Sequence, residues 1–284
     1  MKKTPFFFLP EPTLTLPLLA EGRLEQSSPP LRVLAIGNSF SEDALESYLF
    51  ELADSVGERI IIGNLYIGGA SLSLHVENSR ENKAAYSYRK INLAGNKNTI
   101  ENSTLYDGLK DDDWDYVSVQ QVSENSGQYE VVMQHLPQLI AYVRKHVPRA
   151  KIIYHQTWAY QKSAPPTVFA NYDGSQEIMY NAIAETTQKI SLLRDIYAII
   201  PSGSAIQNAR TSSLGDTLTR DGFHLDLTYG RFTASCTWFQ KLFGLDPRKN
   251  AYKPDSITEL QSRIAKEAAY QAVKNPFQVS RIRN

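Results

Sequence analysis

The chain has one cysteine, Cys236, no excess charge of either sign, and no apolar run long enough to cross a bilayer. A single thiol excludes an internal disulfide and any cysteine-built zinc site, and among the apolar positions of a helical pattern Cys236 reads as core packing. Thirty basic and thirty acidic residues cancel, so no long-range field recruits nucleic acid or an anionic membrane. No stretch after residue 30 approaches the ~20 apolar residues of a membrane helix, and the mature chain is expected to be soluble, with no integral membrane segment.

The first thirty residues differ in character from the rest of the chain. Met1-Lys2-Lys3, Phe6-Phe7-Phe8-Leu9 and Leu18-Leu19-Ala20 resemble an export signal interrupted by Pro10, Glu11 and Pro12. Residues 1–30 are therefore expected to be a signal segment or a disordered tail. In the first case the protein is secreted or periplasmic, in the second cytoplasmic. Residues 31–284 are long enough to bury one full core as a single domain.

That domain opens on an apolar run, Leu31 to Ile36, broken by Gly37-Asn38-Ser39-Phe40-Ser41 and followed by a helical pattern. A buried strand ending in a glycine turn puts the Ser39 hydroxyl at the C-terminal edge of a sheet and the positive end of a helix dipole. Such a site suits a nucleophile. It also suits a cap, since Ser39-Phe40-Ser41-Glu42 fits a capping box. The helix is expected to carry Leu45, Tyr48, Leu49, Leu52 and Val56 and to end near Gly57.

Further strands are predicted at 59–62, 114–119, 151–154 and 197–200, alternating with helices at about 129–147 and 175–193. Five strands alternating with helices predict an α/β, flavodoxin-like doubly wound parallel sheet of order 2-1-3-4-5. Residues 77–113 read as a hairpin inserted at the sheet tips, with Tyr86, Tyr88, Trp158 and Tyr160 forming an aromatic pocket rim. Helices follow at about 228–243 and, packed on the outside, 256–274.

In the 2-1-3-4-5 order the turns at Gly68-Gly69 and Gln120-Gln121 flank Ser39. Acyl transfer needs a nucleophile, a base, an acid to hold the base, and oxyanion donors. Ser39 supplies the first. His224 is the candidate base, and Asp221, three residues earlier across Gly222, can bend back onto its imidazole. The amides of Ser39 and Gly69, with the side chain of Gln120 or Gln121, are candidate donors, Gln120 being nearer the strand end. Asn38, Gln121, His155 and Trp158 are further candidates for lining a substrate pocket. Only Gly37 stands in the loop after the first strand, which lacks the glycine and hydroxyl cluster a flavin or nucleotide phosphate needs.

The turns at Gly37-Asn38-Ser39-Phe40-Ser41 and Gly68-Gly69, with Asp221-Gly222-Phe223-His224, resemble conserved blocks of the SGNH (GDSL-type) hydrolases. More closely, 63–69, 117–121, His155-Gln156-Thr157-Trp158 and Thr219-Arg220-Asp221-Gly222 look like an uncharacterised, domain-of-unknown-function branch of that superfamily. The resemblance covers about 31–244. It implies Ser39 as nucleophile, His224 and Asp221 as its partners, Gly69 and the strand-three amide as oxyanion donors, and no metal or cofactor. Two departures stand out: Asn38 replaces the usual aspartate, and Gln120-Gln121 replaces the usual Gly-x-Asn-Asp block.

The function expected from this reading is serine-dependent hydrolysis of a carboxylic ester, with an acetylated carbohydrate as the favoured substrate. A lipase or thioesterase activity on other small-molecule esters, and a non-catalytic glycan-binding protein on the same fold, are the alternatives.

Overall fold

Along Leu31–Gly37 (β1) successive side chains enter opposite cores: Val33 and Ala35 join one apolar cluster, Leu34 and Ile36 the other. Only a strand buried on both faces does this, which is why the run is continuously apolar. The structure is a computed structural model describing Met1 and residues 29–283; the expected signal segment lies outside the described residues.

In chain order the elements after β1 are α1 (Ser39–Leu45), α2 (Leu49–Asp54), β2 (Ile60–Tyr66), α3 (Leu72–Glu81), β3 (Tyr86–Ile91), β4 (Lys97–Ser103) and α4 (Leu105–Lys110). They continue with β5 (Tyr116–Val119), α5 (Tyr129–His146), β6 (Lys151–His155), α6 (Gln176–Ile190), β7 (Ala198–Ile200), α7 (Ser202–Arg210), α8 (Tyr229–Phe243) and α9 (Glu259–Lys274). The fold is α/β around a mostly parallel sheet in the order β4-β3-β2-β1-β5-β6-β7. Residues of α3, α4 and α5 fill one core, and those of α1, α2, α7, α8 and α9 fill the other.

The sheet has seven strands, where the sequence predicted five. Its parallel part, β2-β1-β5-β6-β7, keeps the expected relative order, but the hairpin within 77–113 joins the sheet instead of sitting at its tips. β3 pairs antiparallel with β2, Ile62 opposite Ile91 and Leu65 opposite Tyr88. Tyr86, Tyr88 and Ile91 are thereby buried under the sheet edge, and the Tyr88 hydroxyl donates to Asp111 Oδ2 at 2.7 Å. Alternation in a hairpin reads the same at a rim as in a sheet; the open edge of β2 decided between them. Arg89 and Lys97 then clasp the hairpin to the first helical segment through Glu42 and Glu46, at 3.1 to 3.4 Å.

The single helix expected after Ser39 is two helices. Tyr48 adopts φ +63° between them, and its hydroxyl donates to Leu227 O at 2.8 Å. The final helix, α9, is less peripheral than expected: Ile264, Ala265, Ala268 and Ala269 are buried in the core it shares with α7 and α8. Among the described residues no helix is long and apolar enough to cross a membrane.

Candidate active site

β1 lies between β2 and β5, so the segments leaving all three strands meet at the C-terminal edge of the sheet. That edge is where ligands bind in open α/β folds.

Gly37 ends β1 in a crowded place: a Cβ there would stand 2.4 Å from Ser41 Oγ. The cap of α1 is Asn38 and not Ser39. Asn38 Oδ1 accepts the Phe40 N–H at 2.9 Å, and its Nδ2 donates to Ala70 O at 3.0 Å, tying the β1 turn to the loop after β2. The expected Ser39/Glu42 capping box does not form, because Glu42 is drawn to Arg89 and Arg231 at 3.1 and 3.9 Å. With the cap supplied by its neighbour, Ser39 is the first helical residue, half-buried, and its hydroxyl is available to another partner.

That partner is His224, whose Nε2 lies 2.9 Å from Ser39 Oγ. On the other side of the ring, Nδ1 is 2.6 Å from Asp221 Oδ2. A carboxylate accepts, so Nδ1 carries the proton and Nε2 presents a lone pair to the serine hydroxyl. Burial raises the Asp221 pKa, but hydrogen bonds from the His224 ring and from the His224 and Phe223 amides outweigh it and hold this carboxyl below the usual range.

The loop bearing Asp221 and His224 is closed on itself and on the helix of Ser39. Arg220 N–H donates to His224 O at 2.9 Å and Asp226 N–H to Leu218 O at 2.8 Å. Gly222 has φ +96°, a region side chains avoid, and a Cβ there would meet Ala164 at 3.0 Å. From beneath, the fully buried Asp43 accepts the Leu225 N–H at 2.8 Å and pairs with Arg231 at 2.6 Å and Arg220 at 3.1 Å. Asp43 went unnoticed in the sequence, although it stands four residues after Ser39 and so on the same helical face.

The other candidates occupy several layers. Gly69 turns the loop after β2 with φ +66°, exposed and with open space where a Cβ would be. Gln120 is buried; its Nε2 donates to Asn38 Oδ1 at 2.8 Å, and its Oε1 is 2.8 Å from His155 Nδ1. Gln121 faces away from Ser39: its Oε1 accepts the N–H groups of Leu72 and Val122 at 3.0 and 2.9 Å, joining α3 to the β5 loop.

The remaining residues expected to line a pocket are interior. Asn38 is buried and occupied by the bonds above. His155 is fully buried between Trp158 and Trp238, and burial pushes its pKa down to about 3. Trp158 is fully buried, stacked on Phe40 with ring centroids 4.1 Å apart, and donates Nε1–H to Phe223 O at 2.7 Å. Tyr160 is buried with its hydroxyl 2.7 Å from Ser123 Oγ. The expected aromatic rim is therefore split between two cores, Tyr86 and Tyr88 in one and Trp158 and Tyr160 with Phe40 in the other. Large aromatic rings release more free energy when buried than when left beside water, and their burial follows from that.

A cleft of about 1170 Å³ opens at the opposite, N-terminal ends of β1, β5 and β6. Its walls carry ion-paired side chains such as Arg32 with Asp112 and offer no nucleophile beside a base. Among the described residues no group of three or more His, Cys, Asp or Glu is placed to hold a metal ion.

A family model described as a domain of unknown function, DUF4886, matches residues 32–272. The crystal structure of a DUF4886 family protein from Bacteroides uniformis is 46% identical, covering 89% of this chain and 98% of that one, with a TM-score of 0.87. Much weaker likenesses include a carbohydrate esterase family 3 protein from Talaromyces cellulolyticus, at 14% identity over 75% of this chain and 97% of that one, TM-score 0.48. A catalytic mutant of an acetylxylan esterase from Geobacillus stearothermophilus gives 12% over 75% and 94%, TM-score 0.45. At those values the likeness carries nothing about chemistry. Comparison with curated protein sequences gave no match. The resemblance to a domain-of-unknown-function branch, drawn from the motifs, agrees with the family match: the chain belongs to the DUF4886 family.

Proposed function

We propose that the protein is a serine-dependent carboxylic ester hydrolase of SGNH type, with Ser39 as nucleophile, His224 as base and Asp221 as the group that orients the base. The observation that carries this reading is the pair of contacts on one imidazole, 2.9 Å to Ser39 Oγ and 2.6 Å to Asp221 Oδ2. His224 Nε2 takes the hydroxyl proton as Oγ attacks the ester carbonyl. It then gives the proton to the departing alcohol, and water repeats the cycle on the acyl-enzyme. Asp221 keeps the proton on Nδ1 and balances the imidazolium.

The tetrahedral oxyanion is assigned to the backbone N–H groups of Ser39 and Gly69 and the Nε2–H₂ of Gln120. Ser39 N–H belongs to a helix's unpaired first turn. Gln120 Nε2 has two hydrogens, of which Asn38 Oδ1 takes one.

For substrate we favour a short acyl group, acetyl, on a carbohydrate. The Phe40–Trp158 stack fills the interior behind the reacting groups, so an acyl chain entering from Ser39 meets protein and not a tunnel. If residues 1–30 are an export signal, the enzyme meets glycans outside the cytoplasm, and N-terminal sequencing of the exported chain reads this.

The test has two arms. Intact-mass measurement after incubation with a fluorophosphonate should show one adduct, on Ser39, and none in Ser39→Ala. Folded protein that stays unlabelled would favour a binding protein. Rates on acetylated xylan, p-nitrophenyl acetate and p-nitrophenyl palmitate should rank acetyl esters first; preference for palmitate would end the short-acyl reading.

A further inference from the structure

Two backbone groups of fixed polarity determine the orientation of three side chains behind the oxyanion site. The Phe40 N–H can only donate, so the Asn38 atom 2.9 Å from it is Oδ1. Ala70 O can only accept, so the atom 3.0 Å away is Asn38 Nδ2. The Gln120 atom 2.8 Å from Asn38 Oδ1 must then be the donor Nε2, which leaves Oε1 facing His155 Nδ1 at 2.8 Å. An oxygen there requires a proton on Nδ1.

We propose that His155 is a positioning residue for the oxyanion donor: its Nδ1–H, held on Gln120 Oε1, keeps the Gln120 amide with its NH₂ end toward Asn38 and Ser39. This rests on the esterase reading above. A flipped amide would set Gln120 Oε1 against Asn38 Oδ1, lone pair against lone pair, and present an oxygen to the developing oxyanion. His155 prevents this from a fixed place. It is the last residue of β6, and the β5–β6 register of Val119 with Tyr154 sets it beside Gln120. Its ring is buried between Trp158 and Trp238, with centroids 6.2 and 5.2 Å away, and among the described residues Nε2 has no hydrogen-bond partner. Burial also keeps the ring neutral, with a pKa near 3, so Nε2 carries no second proton at neutral pH. Among the described residues the one hydrogen bond of the ring is that to Gln120.

Steady-state hydrolysis of p-nitrophenyl acetate tests the proposal in four variants. Gln120→Leu should lower kcat about a hundredfold, the scale of one lost oxyanion donor. His155→Leu should lower kcat about tenfold with KM little changed, and His155→Asn, whose amide nitrogen reaches the Nδ1 position, should restore most of it. His155→Leu/Gln120→Leu should be no slower than Gln120→Leu alone, since His155 acts only through that side chain. In the wild type, ¹⁵N spectra of the His155 ring at neutral pH should show a protonated Nδ1 and a bare Nε2. Wild-type kcat in His155→Leu, losses that multiply in the double variant, or a proton on Nε2 would overturn the positioning role alone. A wild type that neither hydrolyses the ester nor takes the fluorophosphonate overturns the esterase reading, and the positioning role with it.

Discussion

Asp43 accepts the backbone N–H of Leu225 at 2.8 Å, one helical turn beyond Ser39 and one residue past His224. A single short helix thus bears Ser39 on its first turn and grips the loop of His224 with its second. The carboxylate is fully buried and shares its charge with Arg231 and Arg220.

Asp43→Asn keeps an oxygen for Leu225 but takes the paired carboxylate from Arg220 and leaves Arg231 only the more distant Glu42, 3.9 Å away. Because Arg220 retains about a third of its side-chain exposure, the loss of stability should be about 3 kcal/mol, at the low end for a broken buried pair. Urea unfolding measures it. Activity on p-nitrophenyl acetate should fall as the loop loosens, and a variant as stable and active as the wild type would show that Asp43 does not hold the loop.

Ser39→Ala and Asn38→Ala should separate chemistry from capping. Ser39→Ala should remove at least about a thousandfold of kcat/KM while stability moves by no more than about 0.5 kcal/mol. Asn38→Ala should cost about 1 to 2 kcal/mol, since it deletes the cap of α1 and two further buried contacts. The reverse pattern in thermal melts would return the cap to Ser39.

Acid should destabilise the fold through two buried histidines. In the native chain burial keeps His75 neutral down to about pH 4 and His155 down to about pH 3, whereas unfolded histidine takes up a proton near about 6.5. Between those values the unfolded state binds more protons, so stability falls as pH drops, by up to about 1.4 kcal/mol per pH unit for each ring. Above that window the two rings contribute no slope. Unfolding free energies at pH 7.5, 5.5 and 4.5 should show a shallower acid decline in His155→Asn than in the wild type, and parallel curves would contradict the assignment.

Gly222→Ala should impair the loop of Asp221 and His224 without touching either side chain or Ser39. At φ +96°, with Ala164 3.0 Å from the added Cβ, the substitution should cost about 1 to 3 kcal/mol and displace Asp221 and His224. The expected kinetic sign is a lower kcat with normal one-to-one fluorophosphonate stoichiometry at a reduced rate. Labelling as fast as in the wild type would mean the loop tolerates the change.

Much of the candidate site was legible because its signals are local. The strand, glycine and serine of Leu31 to Ser39 are neighbours in the chain, and Asp221 reaches His224 within three residues. The aromatic residues were misread for the opposite reason. Tyr86 and Tyr88 alternate as they would at a rim, and only pairing with β2 buries them. Trp158 and Tyr160 follow a strand tip, where exposure is common, yet Phe40 and Ser123 from other segments enclose them.

The sequence by itself determined the α/β alternation, the serine turn at the head of α1 and the Asp221-Gly222-Phe223-His224 loop, because each depends on short-range periodicity or on residues a few positions apart. Only the tertiary structure decided which residue caps α1, that the hairpin extends the sheet, that Asp43 holds the loop beside His224, and that Gln120 gives its amide to Asn38 while Gln121 gives its own to α3. Each of those depends on which polar or apolar partner arrives from dozens of residues away, and hydrogen-bond polarity and burial are settled only when that partner is in place.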